Sequence, residues 1–355
     1  MEVKKEVVVL IVGAGPSGLA TSVCLSKLSV PNIILEKEDC AGSLWKKRAY
    51  DRLHLHLAKK YCELPYMQYP PNTDTFMRKD VFIKYLDDYQ AQFDVKPLYR
   101  RCVHQNGLSS ETETYIAKFI VVATGENSQP FVPQFPGMES FNGEMVHSSE
   151  YKNGSVYRDR KVLVVGCGNS GMEISYDLAS YGAKTSIVVR SPFHVLNKDL
   201  VYTMMNLLSF LPMKLVDVIA VFLSRLAYGN LTPVVDVGTV QKIREGAIRV
   251  VQGVASFDGN FVEFTNGIKE AFDVIVFATG YRSSATEWLQ DYGFVLNEKG
   301  LPKTPFPKHW KGENGVYCAG LSRMGLGGVS NDAKAIAEDI KKLITSLVTG
   351  KGIEY

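Results

Sequence analysis

The stretch that decides the fold is Val7–Gly18, with the sequence VVVLIVGAGPSG. A run of apolar, mostly β-branched residues stops at a G-x-G-x-x-G turn, and a segment with helical spacing follows, the context that a dinucleotide-binding site requires. Gly13 would allow the tight turn, Gly15 would let the backbone approach a pyrophosphate, and Gly18 would let the helix pack closely on the strand. The stretch therefore predicts a phosphate-binding helix N-terminus.

The residues that follow extend this predicted site. A helix is predicted over Ser17–Leu28, and a second strand, Asn32–Leu35, ends at Glu36. A carboxylate at that place binds a ribose hydroxyl in dinucleotide-binding folds. Trp45 follows in a turn that would place an aromatic ring near the nucleotide, with simple core packing as the alternative interpretation.

The opening pattern occurs a second time. Lys161–Val165 runs into the loop GCGNSG at Gly166–Gly171, and a helix and a strand are predicted over Met172–Tyr181 and Thr185–Val189. The strand is followed by Arg190, where the first unit has an acid. An arginine there pairs with a 2′-phosphate, so the second loop is predicted to prefer NADPH over NADH. A surface arginine without a ligand is the alternative.

A strand with an A-T-G turn is also duplicated, at Phe119–Gly125 and at Asp273–Gly280. From Gly13 to the first turn is 112 positions, and from Gly166 to the second is 114. This matching register indicates two nucleotide-binding halves rather than a stray motif. We predict an α/β fold with two Rossmann-like domains: an FAD-binding domain made of residues 1–128 and 280–355, and an inserted NADP-binding domain, 129–279.

Composition excludes several classes of function. The net charge of +3 is small and dispersed, which argues against a nucleic-acid partner. The six cysteines show no C-x-x-C spacing, which predicts isolated thiols in a reducing compartment and no dithiol centre. The longest apolar run, Val201–Met213, is too short to span a bilayer. With no signal peptide before the first strand, we expect a cytoplasmic protein, and the oligomeric state stays open, a homo-oligomer included.

Three further elements are predicted. Leu53–Leu57 alternates like a strand with His54 and His56 on one face, and no further ligand lies at metal spacing, so no metal site is predicted. Arg78–Phe93 reads as a helix with apolar positions at 81, 85, 86 and 89. Near the C-terminus, a short strand at 315–320 and a glycine-rich segment precede a predicted helix, Asn331–Leu347, with Asn331 or Ser330 as its N-cap.

One segment carries a family resemblance. Phe141, Gly143, His147 and Tyr151 match the F-x-G-x-x-x-H-x-x-x-[YF] signature of flavin-containing monooxygenases, immediately before the second glycine loop. More closely, the chain resembles the plant YUCCA-type flavin monooxygenases over nearly its whole length. The stretches that carry this resemblance are Gly13–Gly18, Tyr50–Pro65, Val121–Ser128, 141–151, Val164–Ser175, Phe277–Ser283 and Pro302–Gly315.

This resemblance implies oxidative decarboxylation of indole-3-pyruvate to the auxin indole-3-acetate with FAD, NADPH and O2, through a flavin C4a-peroxide. It implies an FAD site and an NADP site. The FAD residues are Gly13, Gly15, Pro16, Ser17, Gly18, Glu36 and Trp45. The NADP residues are Gly166, Gly168, Asn169, Ser170, Gly171 and Arg190. His56 and Asn127 are its candidates for catalytic residues beside the flavin, with a structural hydrogen bond as the alternative for each.

The chain also departs from the family pattern. Segments that members normally carry between Arg101 and Glu111 and between Tyr228 and Pro233 are missing, so we expect a shortened member. Loss of the first segment could expose a sheet edge, and loss of the second could reshape the substrate pocket. Two alternatives therefore stay open: a related monooxygenase that oxidises nitrogen or sulfur atoms, and a catalytically silent flavoprotein that acts by binding.

Overall fold

The computed structural model describes residues 4–104, 113–191, 195–196 and 234–349. The chain divides into two compact units. Unit 1 consists of Met1–Lys47, Lys59–Gln129 and Tyr281–Tyr355, and unit 2 of Arg48–Ala58 and Pro130–Gly280. The chain passes from unit 1 to unit 2 after Gln129 and back after Gly280, and each of these borders lies one residue from the border predicted for the two domains. Residues 48–58 differ from that prediction, because they belong to unit 2 and not to the unit that holds the first glycine loop.

Unit 1 is built on a parallel four-stranded sheet of order β2-β1-β3-β16. The strands are β1 Lys4–Val12, β2 Asn32–Leu35, β3 Thr114–Val122 and β16 Val316–Cys318. Residues 9–12 are buried on both faces, as expected for the centre of a parallel sheet covered by helices. The helices of unit 1 are α1 Pro16–Lys27, α2 Lys79–Gln92, α5 Ala285–Trp288 and α6 Leu326–Thr349.

Three sequence predictions differ from the structure. In α2 the residue that faces the core is Phe82 and not Val81, which is 38% exposed. Helix α6 begins at Leu326, directly after Gly325 with its left-handed φ of +55°, so Ser330 and Asn331 lie inside the helix and not at its cap. No strand is described over 53–57. The alternation of apolar and polar residues over Leu53–Leu57 reflects side-chain packing and not a strand, since Leu53 contacts the core of unit 2.

Unit 2 contains a parallel five-stranded sheet of order β10-β7-β6-β14-β5. Its strands are β5 Glu144–His147, β6 Lys161–Val165, β7 Lys184–Val188, β10 Ile248–Val251 and β14 Val274–Phe277. An antiparallel sheet joins β11 Val254–Asp258, β12 Phe261–Phe264 and β13 Lys269–Ala271, and β8 Val195–Leu196 pairs with β9 Val234–Val235. The helices are α3 Asn169–Ser180 and α4 Thr239–Arg244. Two-residue strands β4 Gln129–Pro130 and β15 Tyr281–Arg282 lie where the chain changes unit.

Two buried carboxylates on α3 organise the core of unit 2. Asp177 accepts hydrogen bonds from the Tyr151 hydroxyl at 2.7 Å and from the Gly154 N–H at 2.8 Å. One turn earlier, Glu173 accepts from the Tyr50 hydroxyl at 2.6 Å. A buried carboxylate needs such donors because leaving it without them costs its full desolvation. These bonds explain the Tyr of the 141–151 signature and anchor the segment 48–58 to unit 2.

Replacement of Tyr151 by Phe should therefore destabilise unit 2 by roughly 1–3 kcal/mol, since Asp177 would lose one of its two donors in a buried position. The apparent free energy of unfolding, from urea titration followed by circular dichroism, measures this loss. Tyr176→Phe is the matched control, because Tyr176 lies on the same helix and its hydroxyl makes no hydrogen bond within the described chain. Equal midpoints for the two variants would contradict the role given to Asp177.

Candidate nucleotide-binding sites

The first glycine loop leaves open space where a ligand could lie. Gly13 has a φ of +110°, and a Cβ atom there would lie 2.5 Å from the carbonyl oxygen of Ala123. At Gly18 a Cβ would lie 1.9 Å from the carbonyl oxygen of Gly13, so only glycine lets α1 approach the loop this closely. At Gly15, by contrast, nothing lies within 4 Å of an added Cβ. The loop is tight on its protein side and open on the other, as backbone contact with a pyrophosphate requires.

The start of α1 suits an anion. Pro16 occupies the first turn, where its missing N–H costs nothing, and no side chain caps the helix within the described chain. The free N–H groups and the helix dipole therefore favour a phosphate at this end. The Ser17 side chain is nearly buried and packs against Gly320 of the last segment.

Glu36 lies against the loop and is 6% exposed. Its carboxylate accepts hydrogen bonds from the Ala14 N–H at 2.6 Å and the Glu38 N–H at 2.9 Å. The Gly42 N–H donates to the Ala14 carbonyl at 2.9 Å, which brings the turn that carries Trp45 beside the same loop. The structure thus places the loop, the acid and the aromatic turn together, with Trp45 packed edge-on against Phe82 at 4.7 Å between ring centroids.

Sequence reasoning missed a buried cluster next to Ser17. Gly320 has a φ of +69°, and its N–H donates to Asp332 on α6 at 3.0 Å. The other carboxylate oxygen of Asp332 lies 2.9 Å from Nε2 of His309, and both side chains are buried. Asp332 therefore ties the turn after β16 to α6 and to residue 309. Because 23 residues separate the histidine from the acid, no local pattern in the sequence indicates this pairing.

The second glycine loop repeats the geometry of the first. Gly166 has a φ of +114°, and a Cβ there would lie 2.4 Å from the Ala278 carbonyl oxygen. A Cβ at Gly171 would lie 2.0 Å from the Gly166 carbonyl oxygen, while Gly168 again has nothing within 4 Å. Helix α3 begins at this loop, also without a side-chain cap in the described residues. The unit 2 loop can thus hold a second dinucleotide phosphate.

The other residues predicted for the second site differ in their exposure and in their hydrogen bonds. The Asn169 side-chain oxygen accepts from the Val235 N–H at 2.9 Å, so this oxygen serves the fold of unit 2. Ser170 is partly exposed on the first turn of α3. Arg190 is exposed, forms no ion pair with the described residues and lies close enough to Cys167 to oppose the rise that burial causes in the pKa of this thiol. Its guanidinium is therefore available to an anionic ligand.

The two candidate catalytic residues lie in different units. His56 belongs to unit 2 through the segment 48–58 and is partly exposed. Asn127 belongs to unit 1, in the turn after β3, and is exposed. The catalytic role of each stays a prediction.

The six cysteines form no disulfide bond, and three of them are buried. All six lie within the described residues and are free. Burial raises the pKa of Cys24 to about 11 and that of Cys62 and Cys318 to about 12, so these thiols stay protonated and unreactive. Within the described ranges there is no group of three side chains suited to a metal ion, and no helix is long and apolar enough to cross a membrane. The apolar run 201–213 and the sites of both missing segments lie wholly or largely outside these ranges.

Comparison with known proteins gives consistent results. A family described as pyridine nucleotide-disulphide oxidoreductase matches residues 74–207. "Probable indole-3-pyruvate monooxygenase YUCCA10" from Arabidopsis thaliana is 48% identical, over 96% of this chain and 99% of the relative. "Indole-3-pyruvate monooxygenase YUCCA1" from Oryza sativa subsp. japonica is 42% identical, over 93% and 90%. This chain belongs to the YUCCA family. It is a flavin-dependent monooxygenase.

Solved structures agree with this YUCCA-family fold. A flavin-containing monooxygenase from Stenotrophomonas maltophilia is similar with a TM-score of 0.77 and 20% identity, over 96% of this chain and 99% of that one. A bacillithiol disulfide reductase from Bacillus cereus has a TM-score of 0.72 and 19% identity, over 96% and 100%. These similarities confirm the predicted α/β fold. The alignment with the Arabidopsis relative spans 379 positions against 355 residues here, so this YUCCA member is shortened, as predicted.

Two alanine substitutions separate the protein side of the first loop from its ligand side. Gly15→Ala should leave the stability of the apoprotein unchanged, because the new methyl group meets no protein atom. It should lower the FAD content of the purified protein, because the methyl group enters the space of the ligand. Gly13→Ala should destabilise the apoprotein by more than about 1 kcal/mol, since alanine is strained at this φ and meets a carbonyl oxygen. Flavin absorbance per chain and the unfolding midpoint give the two readouts. Equal destabilisation of the apoprotein by both substitutions would contradict this division of the loop into a protein side and a ligand side.

Proposed function

We propose that this protein converts indole-3-pyruvate to indole-3-acetate by oxidative decarboxylation with NADPH and O2. The observation that carries the proposal is the pair of matching glycine loops with oppositely charged neighbours. These are the buried acid Glu36 in unit 1 and, in unit 2, Arg190, which forms no ion pair with the described residues. The substrate comes from the names of the relatives, which are indole-3-pyruvate monooxygenases. Free thiols are typical of a reducing compartment, so we place the reaction in the cytoplasm.

The residues of unit 1 fit FAD. The backbone of the loop at Gly13–Gly18 and the first turn of α1 would bind the pyrophosphate, and Pro16 and Ser17 would shape this turn. Glu36, which two N–H groups hold in place, would accept a hydrogen bond from a ribose hydroxyl with its remaining lone pairs. Trp45 would cover the bound cofactor from the turn beside the loop.

The residues of unit 2 fit NADPH. The loop Gly166–Gly171, with Asn169 and Ser170 on the first turn of α3, would bind the pyrophosphate. Arg190 would pair with the 2′-phosphate, which an acid at the same place would repel. The opposite charge at the end of the second strand thus separates the two cofactors between two loops of the same shape.

When bound, FAD supplies the electron transfer from NADPH and the reaction with O2. In the overall reaction the 2-oxo acid, O2, NADPH and a proton yield the shortened acid, CO2, water and NADP⁺. The protein must position the keto carbon of the substrate and keep water out of the reaction space, because water would release the oxidant as hydrogen peroxide. The described chain contains no cysteine pair, which disfavours disulfide reduction as the reaction.

The decisive experiment follows the flavin through one reaction. NADPH added without oxygen should bleach the flavin absorbance of the purified protein, and O2 with indole-3-pyruvate should restore it while indole-3-acetate and CO2 form in step with NADPH use. A flavin that NADPH does not bleach would refute the second site. A bleached flavin that gives only hydrogen peroxide would refute the substrate and would favour the silent flavoprotein.

The preference for NADPH has its own test. Arg190→Gln should raise the KM for NADPH about tenfold and leave the KM for NADH unchanged, because only the 2′-phosphate loses a charge-assisted hydrogen bond. Steady-state oxidation of each cofactor measures the two constants. Arg158→Gln, another exposed arginine of unit 2, serves as the control and should change neither value. An equal effect of Arg190→Gln on both cofactors would refute the 2′-phosphate contact.

A further inference from the structure

A groove of about 1510 Å³ lies within unit 1 and has no role in the cofactor assignments above. Residues from 290–309 form one wall and 321–323 form the other. The second wall follows β16, which runs parallel to β1 and β3 in the same sheet. It therefore lies at the carboxyl end of the strands, where open α/β sheets bind their ligands.

Positive side chains predominate among the charged residues of the groove. Lys299, Lys303 and Arg323 line it, against the two acids Asp291 and Glu298. The Lys303 ammonium donates to the carbonyl of Gly293, whereas Lys299 and Arg323 form no ion pair with the described residues. The lining thus has three cationic side chains against two acidic ones, and this positive excess favours an anionic ligand.

The backbone of Arg323 is held in an unusual conformation. Its φ of +62° is costly for a residue with a side chain, and its N–H donates to Glu126 at 3.0 Å. Burial raises the pKa of Glu126, and the contact with Arg323 opposes that rise. The turn after β3 and the turn after β16 thus fix the place from which this guanidinium extends.

A buried polar atom gives the second and independent sign of a ligand. His309 lines the groove and is only 6% exposed. Its Nε2 atom is 2.9 Å from Asp332, and its Nδ1 atom is buried without a hydrogen-bond partner among the described residues. Leaving such an atom unpaired costs free energy, and a polar group that reached Nδ1 from the groove would remove this cost.

An aromatic surface lies beside this histidine. The Phe306 ring stacks on the imidazole with 5.5 Å between centroids and an angle of 17°, and it is 49% exposed. An exposed ring in a groove with more cationic than acidic side chains suits a ligand that has both a flat apolar part and a negative charge.

We propose that this groove binds a small aromatic carboxylate. Lys299 and Arg323 hold the carboxylate, Phe306 packs against the ring, and the imidazole of His309, held by Asp332 at Nε2, forms a hydrogen bond to the ligand through Nδ1. The assignment rests on the proposed function in one respect: indole-3-pyruvate and indole-3-acetate are both aromatic carboxylates. Either compound has the chemistry that the groove recognises.

The test uses the flavin-loaded full chain and two readouts. The first is the Kd of indole-3-acetate for the oxidised protein by calorimetry, and the second is the KM and kcat for indole-3-pyruvate. Arg323→Gln and Lys299→Gln should each weaken binding about tenfold with kcat within twofold, as expected for the loss of a charge-assisted hydrogen bond. His309→Gln keeps a donor for Asp332 and removes only the Nδ1 position, so it should weaken binding without loss of stability.

Two controls isolate the charge of the groove. Lys342→Gln removes an exposed lysine of α6 outside the groove and should change no constant. Tryptamine, an aromatic cation, should bind neither the parent chain nor the variants. If the Arg323→Gln variant does not retain its flavin, the Lys299→Gln and His309→Gln variants alone are compared with the parent.

The outcomes distinguish this proposal from the proposed function. If the protein turns over indole-3-pyruvate, and all groove variants have a Kd and a KM within twofold of the parent, the groove assignment is wrong and the proposed function stands. Absence of turnover, with indole-3-acetate binding that the groove variants weaken, would overturn the substrate and support the groove. A weaker Kd with unchanged KM would identify the groove as a site for the product, and a rise in both would identify it as the substrate site.

Discussion

Two places where a helix touches the preceding loop without a side chain between them determine the rest of this structure. A Cβ atom at Gly18 or at Gly171 would lie within about 2 Å of a carbonyl oxygen, 1.9 Å in unit 1 and 2.0 Å in unit 2. This approach fixes where α1 and α3 begin relative to their sheets, and with it the direction of their free N–H groups. The contact is made by backbone atoms alone, so the same geometry appears twice in different sequence surroundings.

Specificity is then a matter of the few side chains around a common backbone. In unit 1 the residue directly after β2 is a buried acid that two N–H groups hold, and in unit 2 the second residue after β7 is an exposed arginine with no ion-pair partner in the described chain. The first arrangement suits hydroxyl groups, and the second suits a phosphate. We therefore propose that opposite charges near the end of the second strand give two loops of the same shape different ligands.

The sequence predicted the features that have a local cause. Strand β2 was predicted at its observed bounds, and both glycine loops and the A-T-G turns follow from patterns of a few residues. Other features depend on distant partners. The segment 48–58 joins unit 2 through the bond of Tyr50 to Glu173, 123 positions away, and the pairing of His309 with Asp332 is equally nonlocal. In α2 the choice between Val81 and Phe82 as the buried residue depends on what packs against the helix.

The order of segments in the chain also has a consequence for biosynthesis. All segments of unit 2 have left the ribosome once Gly280 has emerged, whereas unit 1 still lacks β16, which pairs with β3, and α6, which packs on α1. The inserted unit can therefore fold first, while β3 remains an open sheet edge on the nascent chain. Such an edge can pair with other chains until β16, which is synthesised after all of unit 2, covers it.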